Sequence, residues 1–153
     1  MKEILVVYHS QTNHTYKMAQ AVFGGAGSIE GVQAILKRAN ETGLDDLLRC
    51  SGLAIGSPEY FGYMSGMIKD MFDRTYEDAY DRKEMFRKPY VLFISAGNDG
   101  TGALNSIRRI LKGYKFKEVY EPVIAKGAVD DKVLNRCEEL GKVIAAGCEA
   151  GIY

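Results

Sequence analysis

The 153-residue chain contains no tryptophan, few prolines and only two histidines, and its charges cancel. Its 20 basic and 20 acidic side chains give no electrostatic reason to expect binding to nucleic acid or to an anionic membrane surface. No apolar run approaches the ~20 residues needed to cross a bilayer. The amino terminus lacks the basic start, apolar stretch and cleavage site of a signal peptide. We therefore expect a cytoplasmic protein with no membrane or nucleic-acid partner.

Cysteine is also scarce, with Cys50, Cys137 and Cys148 as its three instances. They form no Cys-x-x-Cys motif and have no histidine nearby in sequence, so no metal site is predicted. Cys137 and Cys148 lie about three helical turns apart and can face the same side of one helix. We interpret all three as small core residues, with a redox or metal role as the alternative.

What is present is an alternation of strand, loop and helix along one predicted domain, residues 1–153, with a 46% hydrophobic fraction. The strand candidates are residues 4–8, 32–39, 53–56, 90–95 and 117–125. The helix candidates are residues 15–26, 44–49, 65–83, 103–112 and 131–146. Such alternation predicts an α/β fold of three layers, with a mostly parallel five-stranded sheet covered by helices on both faces.

The composition of the strands predicts their order in the sheet. The first, third and fourth strands are continuous apolar runs, which is typical of strands buried on both faces. The second strand mixes in polar residues, and the fifth contains Pro122, which argues for an edge position. The order 2-1-3-4-5 places strands 1, 3 and 4 in the centre with right-handed crossovers, and this is a known doubly wound order. A ligand then belongs beyond the carboxyl ends of the central strands.

Three segments fall at that edge. The first is rich in hydroxyl and amide side chains and precedes a helix, whose free backbone N–H groups can hold a phosphate without a basic residue. Asn13 tolerates the left-handed conformation that tight phosphate loops often need. Taken alone, the segment is equally well read as an ordinary helix N-cap. Its candidate ligands are Ser10, Gln11, Thr12, Asn13, His14 and Thr15.

The second segment places aromatic side chains directly after a buried strand, where their faces suit stacking on a planar ring. The alternative is that these rings only cover the end of the sheet. A proline and a glycine fix the bend and allow close backbone approach. The candidate residues are Pro58, Glu59, Tyr60, Phe61, Gly62 and Tyr63.

The third segment is rich in glycine, which permits close backbone contact with a ligand, although a plain turn before a helix has the same composition. Its candidate residues are Gly97, Asn98, Asp99, Gly100 and Thr101. Three such segments at the ends of the predicted strands are much less expected by accident than any one of them.

The first two segments resemble known motifs. Residues 10–15, Ser-Gln-Thr-Asn-His-Thr, look like the Ser/Thr-x-Thr-Gly-x-Thr phosphate loop of flavodoxins. Residues 56–65, Gly-Ser-Pro-Glu-Tyr-Phe-Gly-Tyr-Met-Ser, are similar to the Gly-Ser-Pro-Thr-Tyr-Phe-Gly-Asn-Met-Ser motif of flavodoxin-like NAD(P)H:quinone oxidoreductases (WrbA-like) and NADPH-dependent FMN reductases. The resemblance implies a flavodoxin-like fold with non-covalent FMN. The first segment would bind the phosphate, and the second and third would form the ring pocket.

Three departures from these motifs affect what the resemblance implies. Asn13 replaces the usual glycine, and Glu59 replaces a threonine and brings a carboxylate near the ring. The chain also lacks an extra segment of typical quinone reductases of this branch, which puts their tetramer and their nicotinamide site in doubt. The oligomeric state therefore stays open, a dimer included.

Two other families with related folds are excluded because residues that they require are absent. A receiver domain needs an acidic pair after the first strand and a phosphorylatable aspartate ending the third, where this chain has Tyr8-His9-Ser10 and Gly56-Ser57-Pro58. A low-molecular-weight phosphatase needs Cys-x5-Arg, and the residue six positions after Cys50 is Gly56.

With FMN bound, two functions stay open on the sequence, besides a flavin-free binding module. An oxidoreductase would pass electrons from NADH or NADPH to a quinone or similar small acceptor. A flavodoxin-type carrier would exchange single electrons with redox proteins. Carriers of that family are typically very acidic, so the balanced charge favours the enzyme. No catalytic residue is assigned, and His14, Tyr63 and Asp99 are candidate proton donors.

Overall fold

Strands and helices alternate along the chain as predicted. In the computed structural model, which describes residues 1–153, the strands are β1 (Lys2–Tyr8), β2 (Val32–Arg38), β3 (Gly52–Tyr60), β4 (Tyr63–Met64), β5 (Pro89–Ala96), β6 (Lys117–Glu118) and β7 (Val123–Lys126). The α-helices are α1 (His14–Gly27), α2 (Leu44–Arg49), α3 (Gly66–Ala79), α4 (Thr101–Gly113) and α5 (Asp131–Ala150). Short 3-10 turns occupy Ala39–Glu41 and Lys83–Met85.

The sheet has the predicted strand order. Its parallel ladder runs β2-β1-β3-β5, and β6 and β7 both pair with the outer side of β5. The predicted fifth strand is therefore two short strands, interrupted around Pro122, which has no N–H to give to a ladder. With the two-residue β4, the sheet has seven strands instead of five.

The third strand is longer than predicted, because residues 57–60 continue it instead of forming a loop. The extension pairs with β5 as far as Pro58 and Ser95. The ladder between β1 and β3 ends at Tyr8 and Gly56, so β3 has no β1 neighbour beyond that point. A proline without an N–H is tolerated on such an unpaired side.

Each face of the sheet carries its own apolar core. One cluster of 22 buried residues packs β1, β3 and β5 against α2, α3 and α4, and a second of 18 packs the opposite face against α1 and α5. Burial of each large side chain in these layers contributes roughly 1.5–3 kcal/mol. Cys50, Cys137 and Cys148 lie in these cores as free thiols, which confirms the core interpretation. Burial raises their pKa values to about 11, 12 and 11 respectively.

The longest helix, α5, continues four residues beyond the predicted end and terminates at Gly151, whose φ of 69° closes it in the left-handed region. Helix α3 ends earlier than predicted, at Ala79. None of the helices combines the length and the apolar character that a membrane span requires.

Candidate cofactor site

The three predicted segments meet at one edge of the sheet. Tyr60 at the end of β3 donates a hydrogen bond from its hydroxyl to Oε1 of Gln11, at 3.0 Å, which joins the second segment to the first. Thr15 Oγ1 and Ser95 Oγ lie 2.8 Å apart, which joins the start of α1 to the end of β5. The parallel register brings these carboxyl ends together, as the predicted strand order requires.

The first segment presents a row of backbone donors. The N–H groups of residues 11–15 donate no hydrogen bond within the chain, while the next one, of Tyr16, is bonded to Ser10 Oγ at 3.2 Å. Asn13 has φ 74°, the left-handed conformation expected of it. Free N–H groups in a tight turn at a helix N-terminus form a site for an anion.

The two threonines of this segment are placed differently. Thr12 is exposed and lines an open hollow of about 500 Å³ with Ser10, Gln11 and Asn13. Thr15 is buried, and its hydroxyl is engaged with Ser95. Thr12 therefore offers a free hydroxyl to a ligand in the hollow, whereas Thr15 holds the helix start against β5.

Arg38, which the sequence analysis did not single out, lines the same hollow. It ends β2, directly beside Tyr8 in the parallel register, and its guanidinium carbon lies 5.4 Å from the centre of the Tyr8 ring. The place of Arg38 could have been predicted from the sequence, because the last residue of β2 must lie at the same edge of the sheet as the last residue of β1. A guanidinium in the same hollow as this segment would add a full positive charge for an anion bound there.

Between the hollow and the aromatic segment lies His9. Burial lowers the pKa of its imidazole, and the nearby Arg38 lowers it further. His9 is therefore neutral at pH 7. Its ring meets Tyr60 edge-on, with 6.3 Å between ring centres, and burial raises the pKa of the Tyr60 phenol. Both rings are uncharged polar groups at neutral pH.

The aromatic segment is a tight hairpin. Glu59 and Tyr60 of β3 pair with Met64 and Tyr63 of β4, which leaves Phe61 and Gly62 as the two turn residues. Their φ angles are 53° and 70°, as a type I′ turn requires. A phenylalanine in the left-handed region costs roughly 1–2 kcal/mol, and strain of this kind is typical of functional sites.

The turn holds its aromatic faces outward. Phe61 is fully exposed and Tyr63 is 43% exposed, so neither serves the core. The alternative interpretation, that the aromatic rings only cover the end of the sheet, therefore does not apply to these two rings, whereas Tyr60 is half-buried against His9. Met67 in the first turn of α3 adds a third exposed apolar side chain after the hairpin.

The carboxylate of Glu59, which the sequence analysis placed near the ring, is bonded to another segment of the chain. Its Oε2 accepts a hydrogen bond from the backbone N–H of Ala103 in the first turn of α4, at 3.0 Å. The hairpin also presses on the same turn, since a Cβ at Gly102 would lie 2.0 Å from the carbonyl oxygen of Gly62. Only glycine permits this approach, so the second and third segments are locked together.

The third segment is ordered by its own side chains. Asp99 accepts hydrogen bonds from the backbone N–H of Thr101, at 3.0 Å, and from its hydroxyl, at 2.9 Å. Gly100 precedes the helix with φ 76°, and a Cβ there would lie 2.7 Å from Ile124. Gly97 and Asn98 remain exposed at the tip.

The three candidate proton donors differ in their hydrogen bonds and exposure. The hydrogen bonds from Thr101 hold the pKa of Asp99 below its ordinary value, so Asp99 is an anion at neutral pH and donates no proton there. His14 is exposed at the first residue of α1 and makes no side-chain hydrogen bond within the chain. Tyr63 is exposed at the hairpin.

Comparison with known proteins identifies the family. The family model of the NADPH-dependent FMN reductases matches residues 37–130. The chain belongs to this family. A flavodoxin from Aquifex aeolicus (strain VF5) is 33% identical over 95% of this chain and 86% of its own length. The fold is confirmed by the crystal structure of a WrbA-like flavodoxin from Agrobacterium tumefaciens, with a TM-score of 0.83 at 21% identity, covering 98% of this chain and 99% of that one.

Another protein that this chain resembles is named as an enzyme. An NAD(P)H dehydrogenase (quinone) from Acidithiobacillus ferrooxidans is 34% identical over 49% of this chain and 48% of its own length, so the chain matches about half of that relative. Together the comparisons confirm the predicted flavodoxin-like superfamily and FMN as its cofactor.

The donor set of this family member suits FMN. Free backbone N–H groups, the Thr12 hydroxyl and Arg38 match a phosphomonoester, and exposed aromatic faces match a planar ring. The two halves of the site are joined by the hydrogen bond between Tyr60 and Gln11.

Proposed function

We propose that this protein is an FMN-dependent oxidoreductase that takes electrons from NADH or NADPH and passes them to a quinone or similar small acceptor. The observation that carries the proposal is the strained hairpin, which holds Phe61 and Tyr63 in solvent beside an anion site on the same sheet edge. Exposed rings at a fixed turn provide a stacking surface that substrates can reach.

The first segment would bind the FMN phosphate. The N–H groups of residues 11–15, the Thr12 hydroxyl and the Arg38 guanidinium are the donors, and Ser10 is used to hold the Tyr16 amide. The hairpin and the backbone of Gly97 and Asn98 would hold the flavin ring. The proposed contacts are Pro58, Glu59, Tyr60, Phe61, Gly62, Tyr63, Gly97, Asn98, Asp99, Gly100 and Thr101.

Bound FMN would supply the redox chemistry, accepting a hydride and returning electrons to an acceptor. The overall reaction converts NAD(P)H, a proton and a quinone into NAD(P)⁺ and a hydroquinone, so two electrons and two protons reach the acceptor. The residues of this chain would position the flavin and nicotinamide rings. Because His9 and Tyr60 are uncharged at pH 7, they offer hydrogen bonds without adding charge near the ring.

A single-electron carrier is the second candidate, and the match to the Aquifex flavodoxin over nearly the whole chain favours it. A carrier would exchange electrons with a larger redox protein and turn over no small substrate. The formal net charge of zero argues against it, because long-range steering toward a charged protein partner would be weak.

The experiment that separates the two is anaerobic mixing of the FMN-loaded protein with NADH or NADPH, followed by steady-state oxidation of the nicotinamide with a quinone acceptor. The oxidoreductase predicts direct bleaching of the flavin spectrum and a kcat of at least ~1 s⁻¹. The carrier predicts no bleaching by either nicotinamide and rapid bleaching once a flavoprotein reductase is added.

A further inference from the structure

A groove between α3 and α4 leads away from the aromatic hairpin. It consists of two adjoining hollows of about 430 and 280 Å³, which share Lys69, Arg109 and Ile110. The upper hollow includes Tyr63 and Asn105, and the lower one ends at Tyr76 and Gly113. From Asn105 to Gly113 the groove follows eight residues of helix, which is about 12 Å of axis.

The groove carries one uncompensated positive charge. Lys69 is paired with Asp73 at 2.7 Å, and Arg108 is paired with Glu118 on a different face of α4 at 2.7 Å. Arg109 makes no ion pair and no side-chain hydrogen bond within the chain, and its side chain is exposed. The Asp73 carboxylate lines the same hollow but is paired with Lys69, so the Arg109 guanidinium is available to bind a phosphate.

The upper end of the groove is fixed to the hairpin. Ser106 Oγ accepts a hydrogen bond from the Met64 backbone N–H at 3.1 Å and donates one to the Ala103 carbonyl at 2.9 Å. These bonds connect the second turn of α4 to β4. Tyr63 belongs both to the proposed ring pocket and to the groove, so the two sites are continuous.

The lower end of the groove is aromatic. Tyr76 stacks on Tyr80, with 5.1 Å between ring centres and 21° between planes, and Phe72 lines the floor. The groove therefore offers an aromatic side chain at each end and a free guanidinium between them. This sequence of features matches a molecule with two planar groups joined by phosphates.

We propose that the groove between α3 and α4 binds the adenosine diphosphate part of the nicotinamide dinucleotide, with Arg109 contacting its diphosphate and Tyr76 contacting the adenine. The inference rests on the proposed function, because a nicotinamide at the flavin beside Tyr63 needs a path for the rest of its molecule. Neither the balanced overall charge nor the mixed charges of α3 suggest an acidic protein as the occupant.

The test is calorimetric titration of the FMN-loaded protein with NADP⁺, which binds without reacting. We expect Arg109→Gln to weaken NADP⁺ about tenfold to a hundredfold, the usual loss for a charged hydrogen bond to phosphate. Lys112→Gln removes a charge from the same helix outside the groove and should leave the affinity within twofold. Equal affinities for wild type and Arg109→Gln, or no binding to wild type, would overturn the assignment.

A kinetic arm separates failure of the groove from failure of the proposed function. The reductant 1-benzyl-1,4-dihydronicotinamide has the nicotinamide ring without phosphates, so it should reduce the flavin equally well in wild type and Arg109→Gln. If NADPH reduces both proteins with the same KM, the groove proposal fails and the oxidoreductase stands. If Arg109→Gln slows reduction only by a flavoprotein reductase, the groove binds a protein instead and the proposal is wrong.

Discussion

The carboxylate of Glu59 and the backbone N–H of Ala103 form a hydrogen bond of 3.0 Å between the end of β3 and the first turn of α4. The negative charge lies at the positive end of the helix dipole, where it stabilises the helix start. The same bond holds the aromatic hairpin against the third segment of the candidate site. The main role of Glu59 is therefore to hold these two segments of the site together.

Removing this bond is expected to destabilise the fold. Glu59→Ala should lower the free energy of unfolding by about 1–2 kcal/mol, the usual cost of losing a helix cap. Glu59→Gln should cost less, about 0.5–1 kcal/mol, because its amide oxygen still accepts the bond while the charge is lost. Urea denaturation measures both. Glu77→Ala, at an exposed site on α3, is the control, and a Glu59→Ala protein as stable as this control would contradict the assignment.

Phe61 is expected to destabilise the fold and to strengthen the binding of FMN. Phe61→Asn creates an Asn-Gly turn, the preferred sequence for a type I′ hairpin, and should raise the free energy of unfolding by about 0.5–1 kcal/mol. The same change removes an exposed ring and should weaken FMN by about 0.5–1.5 kcal/mol. Phe61→Tyr keeps both the ring and the strain, so it should change neither quantity. If Phe61→Asn left FMN affinity intact, the ring would have no part in binding.

Arg38 is expected to bind the phosphate of FMN. Arg38→Gln should weaken FMN by about 1–2 kcal/mol and leave riboflavin, which has no phosphate, unchanged. Thr12→Ala should act in the same direction by about 1 kcal/mol. Raising the ionic strength should reduce FMN affinity more in wild type than in Arg38→Gln. Lys132→Gln on α5 controls for the general loss of charge, and equal losses for FMN and riboflavin would remove Arg38 from the phosphate site.

Much of this site could be predicted because strand composition fixes the sheet order, and the order fixes which segments share an edge. Asn13 was expected in the left-handed region from its side chain alone, and it lies there. Contacts between side chains that are distant in the sequence could not be predicted from it. Nothing local indicates that Glu59 meets Ala103, or that Thr15 is buried against Ser95.

The buried position of Lys88 in the core could not be predicted from the sequence either. Its ammonium is buried and donates to the carbonyls of Leu47, Leu48 and Cys50 at the end of α2, and burial lowers its pKa. In the sequence it is a lysine directly before a strand, with no local sign that it is buried. Only the packing of α2 over β3 and β5 gives it this position.

Asp46 is expected to make stability depend on pH. Burial alone would raise its pKa, but hydrogen bonds from the Gly43 N–H, Lys37 and Arg49 outweigh this and hold the pKa below its usual value. The stabilisation is therefore complete above the unfolded pKa of about 3.9 and is lost as the pH falls through the lower folded value.

Asp46→Asn should lower the free energy of unfolding at pH 7 by about 1–3 kcal/mol. The difference from wild type should shrink as the pH falls below about 4. Asp45→Asn, the exposed neighbour in the same helix turn, should stay within about 1 kcal/mol of wild type. Chemical denaturation across this pH range measures both, and a difference that persists unchanged in acid would contradict the role of the charge.

The central claim, that the edge of this sheet binds FMN through its phosphate and its ring, is tested most directly by titrating the flavin-free protein with FMN and with riboflavin in a calorimeter. The account predicts that FMN binds at least about tenfold more tightly, because free N–H groups, Thr12 and Arg38 meet only a phosphorylated flavin. It also predicts quenching of the flavin fluorescence by the stacked rings. Equal affinity for the two flavins, or no binding of FMN at high micromolar protein, would contradict it.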